Sequence, residues 1–316
     1  MKISGKRQIK HRRKIDCLGL GIIPLDYLVT IPRMPEPGGK VDADSLCVQG
    51  GGPIPDALVA LSRLGKKTAL IAGVADDLIG KVSIDEIRRE KVDHRFMIMK
   101  DGRRTPSDSA YGFVEAGSGR RTIALYRKIR VRPRDLKTDS YPIPRVVHLD
   151  GRDLDACIKL ARWGKRVGAT ITFDVGSIRN DVSPIFPLVD HLIVSDAYAL
   201  GFTGKRTVRQ AILHLSRICP GVIGVTEGTR GSTAYEKGRF YHQKAFRIEV
   251  ADTTGAGDSF HAGYIYGLLE GLEIPKRLLY GAAVATLKCT KPGARGGNPT
   301  LKQLKSFLRN LPETYD

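Results

Sequence analysis

The chain lacks any apolar run approaching the roughly 18 residues of a membrane-spanning helix, so no membrane segment is expected in it. Cysteine is sparse: Cys17, Cys47, Cys157, Cys219 and Cys289 are odd in number, widely scattered and free of any C-x-x-C pair. That argues against a disulfide framework and a zinc site, and points to the cytoplasm. No repeat period or low-complexity tract is present, and composition nowhere shifts sharply enough to mark a second independent domain. Acidic residues are in short supply, 33 against 52 lysines and arginines, which leaves a formal charge of +19. Such an excess suits polyanions, anionic small molecules or simply a heavily charged surface. It is spread along the chain without aromatic interleaving or a helix-turn-helix pattern, so nucleic-acid recognition is not expected.

What is present suffices for a sizeable core: 316 residues, 41% of them apolar, make one large α/β domain or two small ones. Lys2, Lys6, Arg7, Lys10, Arg12, Arg13 and Lys14 crowd a beginning with almost nothing to bury. Residues 1–13 therefore read as a solvated basic tail and residues 14–316 as the folded domain. The run IDCLGLGIIPL that follows is bracketed by Asp16 and Asp26 and interrupted by Pro24, with no cleavage pattern after it. It reads as a buried strand rather than a signal segment.

From VVHLDG onward, short β-branched runs alternate with helical stretches, through ATITFDVG, HLIVSD and VIGVTEG, with helices near 153–167 and 206–217 between them. That alternation predicts right-handed βαβ units and a mostly parallel sheet. Two regions break it. Strand-like segments follow one another without a helix from DYLVTIP to KVDADSLCV, and again from SAYGFVEA to RRTIALYR. These predict antiparallel excursions near 26–49 and 107–128, suited to cover a ligand cleft at the carboxyl ends of the parallel strands or to serve as a dimerisation surface.

The stretch ADTTGAGDSFHAGY, residues 251–264, reads as a glycine turn opening a helix. Gly255 and Gly257 let main-chain amides approach a ligand at the positive end of the helix dipole, which makes an anion cradle. Asp258 beside it is placed to take a proton from an attacking hydroxyl during phosphoryl transfer. A capped helix start with an Asp in its first turn is the plainer reading. This is not a Walker A loop, because no Gly-Lys-Ser/Thr follows.

The same stretch resembles the C-terminal signature of the ribokinase or PfkB family of carbohydrate kinases, D-T-x-G-A-G-D-x-F. The resemblance extends from about Ile15 to Leu311 and includes GGGPIPDALVALSRLG, GVADDLIG, VTEGTRG and GARGGNPT. It implies a ribokinase-like three-layer α/β sandwich, with a mostly parallel central sheet between helices and a small antiparallel β lid. It also implies an ATP-dependent phosphotransferase with Mg2+ bridging the ATP phosphates. Carried over residue by residue, it makes Asp258 the base and Gly255, Ala256 and Gly257 the anion hole, with Thr226, Gly228 and Gly231 bordering the nucleotide. Asp26, Gly51 and Gly52 would face the sugar. Asp252 and Thr254 match positions whose carbonyls hold a monovalent cation such as K+ in some members.

Departures from the family pattern are informative. Asp56 stands where an Asn is usual, an acceptor-only carboxylate in place of an amide. Ser195 and Tyr198 replace both key residues of an Asn-x-x-Glu element tied to magnesium and phosphate, a departure shared with ketohexokinases. The GGGP, FHAG and LKCTKPGARGG segments are most similar to sulfofructose kinases. In that subgroup Lys40 and Arg152 match basic positions facing a sulfonate; the alternatives are a solvent-facing lid lysine and a surface residue leading a helix. Two basic groups converging on one pocket suit a sulfonate, phosphate or carboxylate. The expected substrate is thus a primary hydroxyl of a small anionic keto sugar such as sulfofructose or a sugar phosphate, with a homodimer formed through the lid. A neutral-ketose kinase, a nucleoside kinase with Tyr27, Tyr111 or Tyr126 stacking on the base, and a non-catalytic sensor on the same fold are the rivals. His261, on the helix face of Asp258, and the pair His148 and Asp150 read more simply as structural residues than as ligands.

Overall fold

A computed structural model describes residues 14–117, 120–178 and 180–311. The basic segment 1–13 and residues 118 and 119 of the second expected lid segment lie outside these. Strand β1 (Lys14–Leu20) is the run IDCLGL, and the chain then leaves the main sheet for β2 (Leu25–Ile31) and β3 (Ser45–Gly50). Helix α1 (Pro53–Arg63) brings it back to β4 (Thr68–Ile71), and α2 (Leu78–Arg89) lies between the short strands β5 (Gly73–Ala75) and β6 (Ile98–Lys100). A second excursion makes β7 (Ser109–Glu115) and β8 (Arg121–Tyr126). The alternating region follows as β9 (Ile143–Leu149), α3 (Leu154–Arg166), β10 (Thr170–Val175), β11 (His191–Ser195), α4 (Asp196–Thr203), α5 (Val208–Leu215) and β12 (Val222–Thr226). The hairpin β13 (Ser232–Glu236) and β14 (Arg239–Gln243) then leads to α6 (Ala256–Leu269), α7 (Ile274–Lys288) and α8 (Leu301–Arg309).

The main sheet has eight strands in the order β14-β13-β12-β11-β10-β9-β1-β4. From β12 to β4 every pairing is parallel, and β13 and β14 add an antiparallel edge. Strand periodicity divides its side chains between two cores. Val147, Leu149, Ile171, Phe173, Leu192 and Val194 pack with Leu160 and Trp163 of α3 and Ile212 of α5. On the other face Cys17, Leu70 and Val146 meet Leu58 of α1, Ile265 of α6 and Val284 of α7. Each such fully buried aliphatic side chain contributes roughly 1.5–3 kcal/mol. Parallel strands of this kind are buried on both faces, which is why they read as nearly continuous apolar runs.

Both excursions join into one four-stranded sheet in the order β3-β2-β7-β8, the lid. Only its middle pairing, β2 with β7, is parallel; the outer two are antiparallel. The two hairpin-like segments thus share a single sheet rather than forming separate flaps. All five cysteines are free. No helix among the described residues is long and apolar enough to cross a membrane.

Candidate active site

The cleft lies where the parallel strands end, the position at which open α/β sheets bind ligands. Asp150 follows β9, Asp174 and Val175 finish β10, Ser195 finishes β11 and Thr226 finishes β12, and all of them line it. Its volume is about 300 Å3, and Gly255, Gly257, Asp258 and His261 of the α6 end form its opposite wall. A second cavity of about 920 Å3 adjoins it, lined by Thr226, Gly228, Gly231, Ala256, Gly257, Phe260, Ala282 and Thr286. Thr226 and Gly257 border both chambers. The turn that opens α6 is therefore the partition between them.

Gly255 caps α6 in the left-handed region, φ 75°, without any side-chain cap. A Cβ there would come within 2.8 Å of the Ala294 carbonyl oxygen, so glycine is required both by dihedral and by space. With no capping side chain, the first amides of α6 are left for a ligand, and the helix dipole favours an anion. Burial pushes the Asp258 carboxyl well above the usual carboxylate range, and the charges of Asp56 and Asp174 push it further, against the pull of Arg121. A carboxyl raised in this way is a candidate general base.

Below Asp258 a polar layer occupies the sheet face turned toward α6. His261 Nε2 lies 3.1 Å from Asp174 Oδ1, and His148 Nδ1 lies 2.9 Å from Thr172 Oγ1, with the two imidazoles 5.2 Å apart. His148 is wholly buried and its pKa falls to about 3, chiefly through desolvation and then through the charge of His261. These residues alternate with the core positions on β9 and β10, as a period of two requires. The structure thus places His261 beside Asp174, whose charge acts on Asp258, whereas His148 meets Thr172 and Asp150 holds backbone amides. Asp150 accepts from Ile22 N at 3.1 Å and Arg152 N at 2.9 Å, binding the crossing of β1 and β9.

Asp26, Gly51, Gly52 and Asp56, expected on the sugar side, are not among the residues lining the smaller cavity, and they separate into two groups. Asp26 and Gly51 touch: a Cβ on Gly51 would fall 2.1 Å from Asp26 Oδ2, so the glycine gives the carboxylate its place. The Asp26 pKa rises to about 7, through burial and then the neighbouring Asp56 charge. Gly52 caps α1, its carbonyl accepting from Asp56 N at 3.0 Å. Asp56 itself accepts from Arg295 Nε at 2.7 Å, and Arg295 NH1 also reaches Glu86 Oε2 at 3.0 Å. Glu86 in turn accepts from Gly50 N at 2.5 Å. The carboxylate that replaces the family amide is thus answered by an arginine from the loop before α8. Sequence spacing could not pair residues so far apart.

Of the two basic residues expected to meet an anion, Arg152 lines the cleft and Lys40 does not. Lys40 sits on the exposed connection from β2 to β3, where nothing draws its ammonium inward. Instead Arg121 of β8 and Arg127 just beyond it line the cleft with Arg152. Arg127 is tied to Asp153 at 2.7 Å, whereas Arg121 forms no ion pair among the described residues. Both lay within or beside the lid segment RRTIALYR, but only strand parity shows that residue 121 shares the inward face with Asp26. Tyr27 and Tyr111 share the opposite, outward face, stacked at 5.3 Å. None of the expected base-stacking tyrosines, Tyr126 included, lines the cleft.

Ser195 caps α4, accepting from Tyr198 N at 3.0 Å and donating to Gly176 O at 3.0 Å. Tyr198 points into the core and stacks on Phe202 at 5.4 Å. The departure from Asn-x-x-Glu therefore yields one cleft-lining cap and one core residue, and supplies no carboxylate to a metal.

Two adjoining cavities that share a helix N-terminus, with Asp258 lining the smaller, are the arrangement expected of a phosphotransferase of ribokinase-like fold. The chain belongs to the pfkB family of carbohydrate kinases, whose pattern it matches over residues 12–301. It is 25% identical to 5-dehydro-2-deoxygluconokinase of Clostridium perfringens over 98% of this chain and 97% of that one. It is 26% identical to a nucleoside kinase of Methanothermobacter thermautotrophicus, over 92% and 95% of the two chains. Ribokinase of Arabidopsis thaliana, solved with ribose and ATP, superposes with a TM-score of 0.80 at 21% identity, covering 94% of this chain and all of that one. The protein is an ATP-dependent sugar kinase. Ribokinase-like kinases use ATP with Mg2+.

Proposed function

We propose that the protein transfers the γ-phosphoryl group of ATP to a primary hydroxyl of a small anionic keto sugar, with Asp258 as general base. ATP occupies the larger chamber, along Thr226, Gly228 and Gly231, with its terminal phosphate at the amides of residues 255–257 and Mg2+ carried on the phosphates. The sugar occupies the smaller chamber, with Asp26, Gly51 and Gly52 next to its lining residue Pro53 rather than on its wall. The observation that carries the substrate class is that Arg121 and Arg152, together with Arg127 already paired to Asp153, line a cleft of about 300 Å3. Guanidinium groups recognise a carboxylate, phosphate or sulfonate by paired hydrogen bonds, and a neutral hexose offers them no counter-charge. The relative whose name denotes a keto sugar acid supports the same class. Sulfofructose and a keto sugar phosphate are the candidates within it.

The reading is tested by ATP consumption across neutral ketoses, sugar phosphates, sulfofructose, keto sugar acids and nucleosides. It expects the highest kcat/KM among the anionic ketoses. Preference for neutral ketoses or nucleosides would reject the anionic class while leaving the kinase intact.

The outward face of the lid supports a homodimer. Leu46 is 63% exposed, and Val48, Tyr111, Phe113 and Tyr126 lie on the same face of the sheet, also exposed. A second copy presenting the same apolar face would bury it by a two-fold pairing of lids. Sedimentation of the wild type against Tyr111→Asp tests this, with a monomeric wild type as the contrary result.

A further inference from the structure

Lys288 is the last residue of α7 and is 0% exposed. Its Nζ donates to the main-chain carbonyl of Asp252 at 2.7 Å, and it forms no ion pair among the described residues. A buried ammonium is costly unless its charge is used. Here it stands at the foot of the turn whose far end, Gly255, caps α6 and directs the amides of the anion hole. The Asp252 carboxylate is engaged as well, accepting from Thr254 N at 2.7 Å and Gly293 N at 2.8 Å.

The family resemblance places a monovalent cation on the carbonyls of Asp252 and Thr254. The residues present do not fit one. The Asp252 carbonyl already has a positive nitrogen on it, both carboxylate oxygens are committed to amides, and a second cation would meet like charge in a dry site. The Thr254 side chain adds one neutral hydroxyl oxygen, whereas an alkali ion needs a ring of oxygens to replace its hydration shell.

We propose that the Lys288 ammonium is a tethered counterpart of that cation: it holds the Asp252 peptide, fixes the turn carrying the anion hole, and makes the enzyme independent of K+. Burial lowers the lysine's pKa, and the nearby Asp252 carboxylate partly offsets that. Lys288 acts through the turn and is a positioning residue. The inference rests on ATP binding at residues 255–257.

The test replaces K+ by tetramethylammonium at fixed ionic strength and measures both steady-state rate and the thermal shift given by ATP and Mg2+ without sugar. For the wild type both are expected to change by less than about twofold, since only general screening is altered. Lys288→Ala is expected to lose about tenfold or more in kcat/KM for ATP and to regain part of it with K+ or NH4+, its ATP thermal shift becoming dependent on that ion. A lysine needed only for packing would not give ion-specific rescue. Activation of the wild type several-fold by K+ overturns the proposal without any variant, and so does full K+-independent activity in Lys288→Ala. If ATP and Mg2+ give the wild type no thermal shift in any salt, the nucleotide reading and this inference fall together. A shift that requires K+ removes this inference alone.

Discussion

Arg295 Nε donates to Asp56 Oδ1 at 2.7 Å, joining the loop before α8 to the helix behind the glycine triplet, with both side chains buried. The same guanidinium holds Glu86, and Glu86 holds the amide of Gly50. Three regions distant in sequence, around residues 50–56, 86 and 295, are thereby locked together beside the cleft. Removing one partner of a buried pair leaves an uncompensated charge. Arg295→Met is therefore expected to destabilise the fold by about 3 kcal/mol, read as a lower urea midpoint at unchanged slope. A loss below about 0.5 kcal/mol, the range of ordinary surface changes, would show that the pair is dispensable.

Asp258→Asn preserves shape and removes the base. Turnover should fall by about two to four orders of magnitude while KM for sugar and ATP moves little. Steady-state kinetics with the preferred ketose decide the matter, and near-normal turnover would remove Asp258 from the mechanism.

The raised pKa of Asp258 sets a sign for the pH profile. Burial and the charges of Asp56 and Asp174 favour its protonated form, and only the ionised form accepts a proton. The rate should accordingly decline, as pH falls, well above the ordinary aspartate value of about 4. Asp174→Asn removes one neighbouring negative charge and should move the acid limb of kcat/KM to lower pH. An unmoved limb would assign the titration to another group.

Arg121 reaches the cleft from the lid and has no competing ion pair among the described residues, so its charge is available to a substrate. Arg121→Ala should raise KM for an anionic ketose about tenfold or more, with a small effect on ATP, consistent with loss of one charge-assisted contact. Lys40→Ala, by contrast, should leave both constants unchanged, because residue 40 lies outside the cleft. Equal effects of the two substitutions would mean that the lid closes further than the structure shows.

Much of this was legible in the chain. The glycine turn opening a helix at Gly255 is legible in residue types and spacing, and the βαβ alternation gives the sheet and hence the end at which the cleft opens. The strands bordering both excursions were visible as alternating runs. Illegible features share a cause: they depend on which distant segments meet. The pairing of Asp56 with Arg295 is not legible because the two are remote in sequence. Arg121 was passed over because one residue of strand register decides whether a side chain faces the cleft or solvent. Nothing in the sequence around Lys288 signals its burial, which comes with its contact to the Asp252 carbonyl.

The lid described above is bound together at its centre by β2 and β7, Leu25 lying opposite Ser109. Such a roof cannot assemble from either hairpin alone, and joining remote stretches carries a loop-closure cost that neighbours in sequence avoid. A refolding chain should consequently bury its sole tryptophan, Trp163, in the core before it acquires a closed substrate chamber. Catalytic competence would be the last property to return.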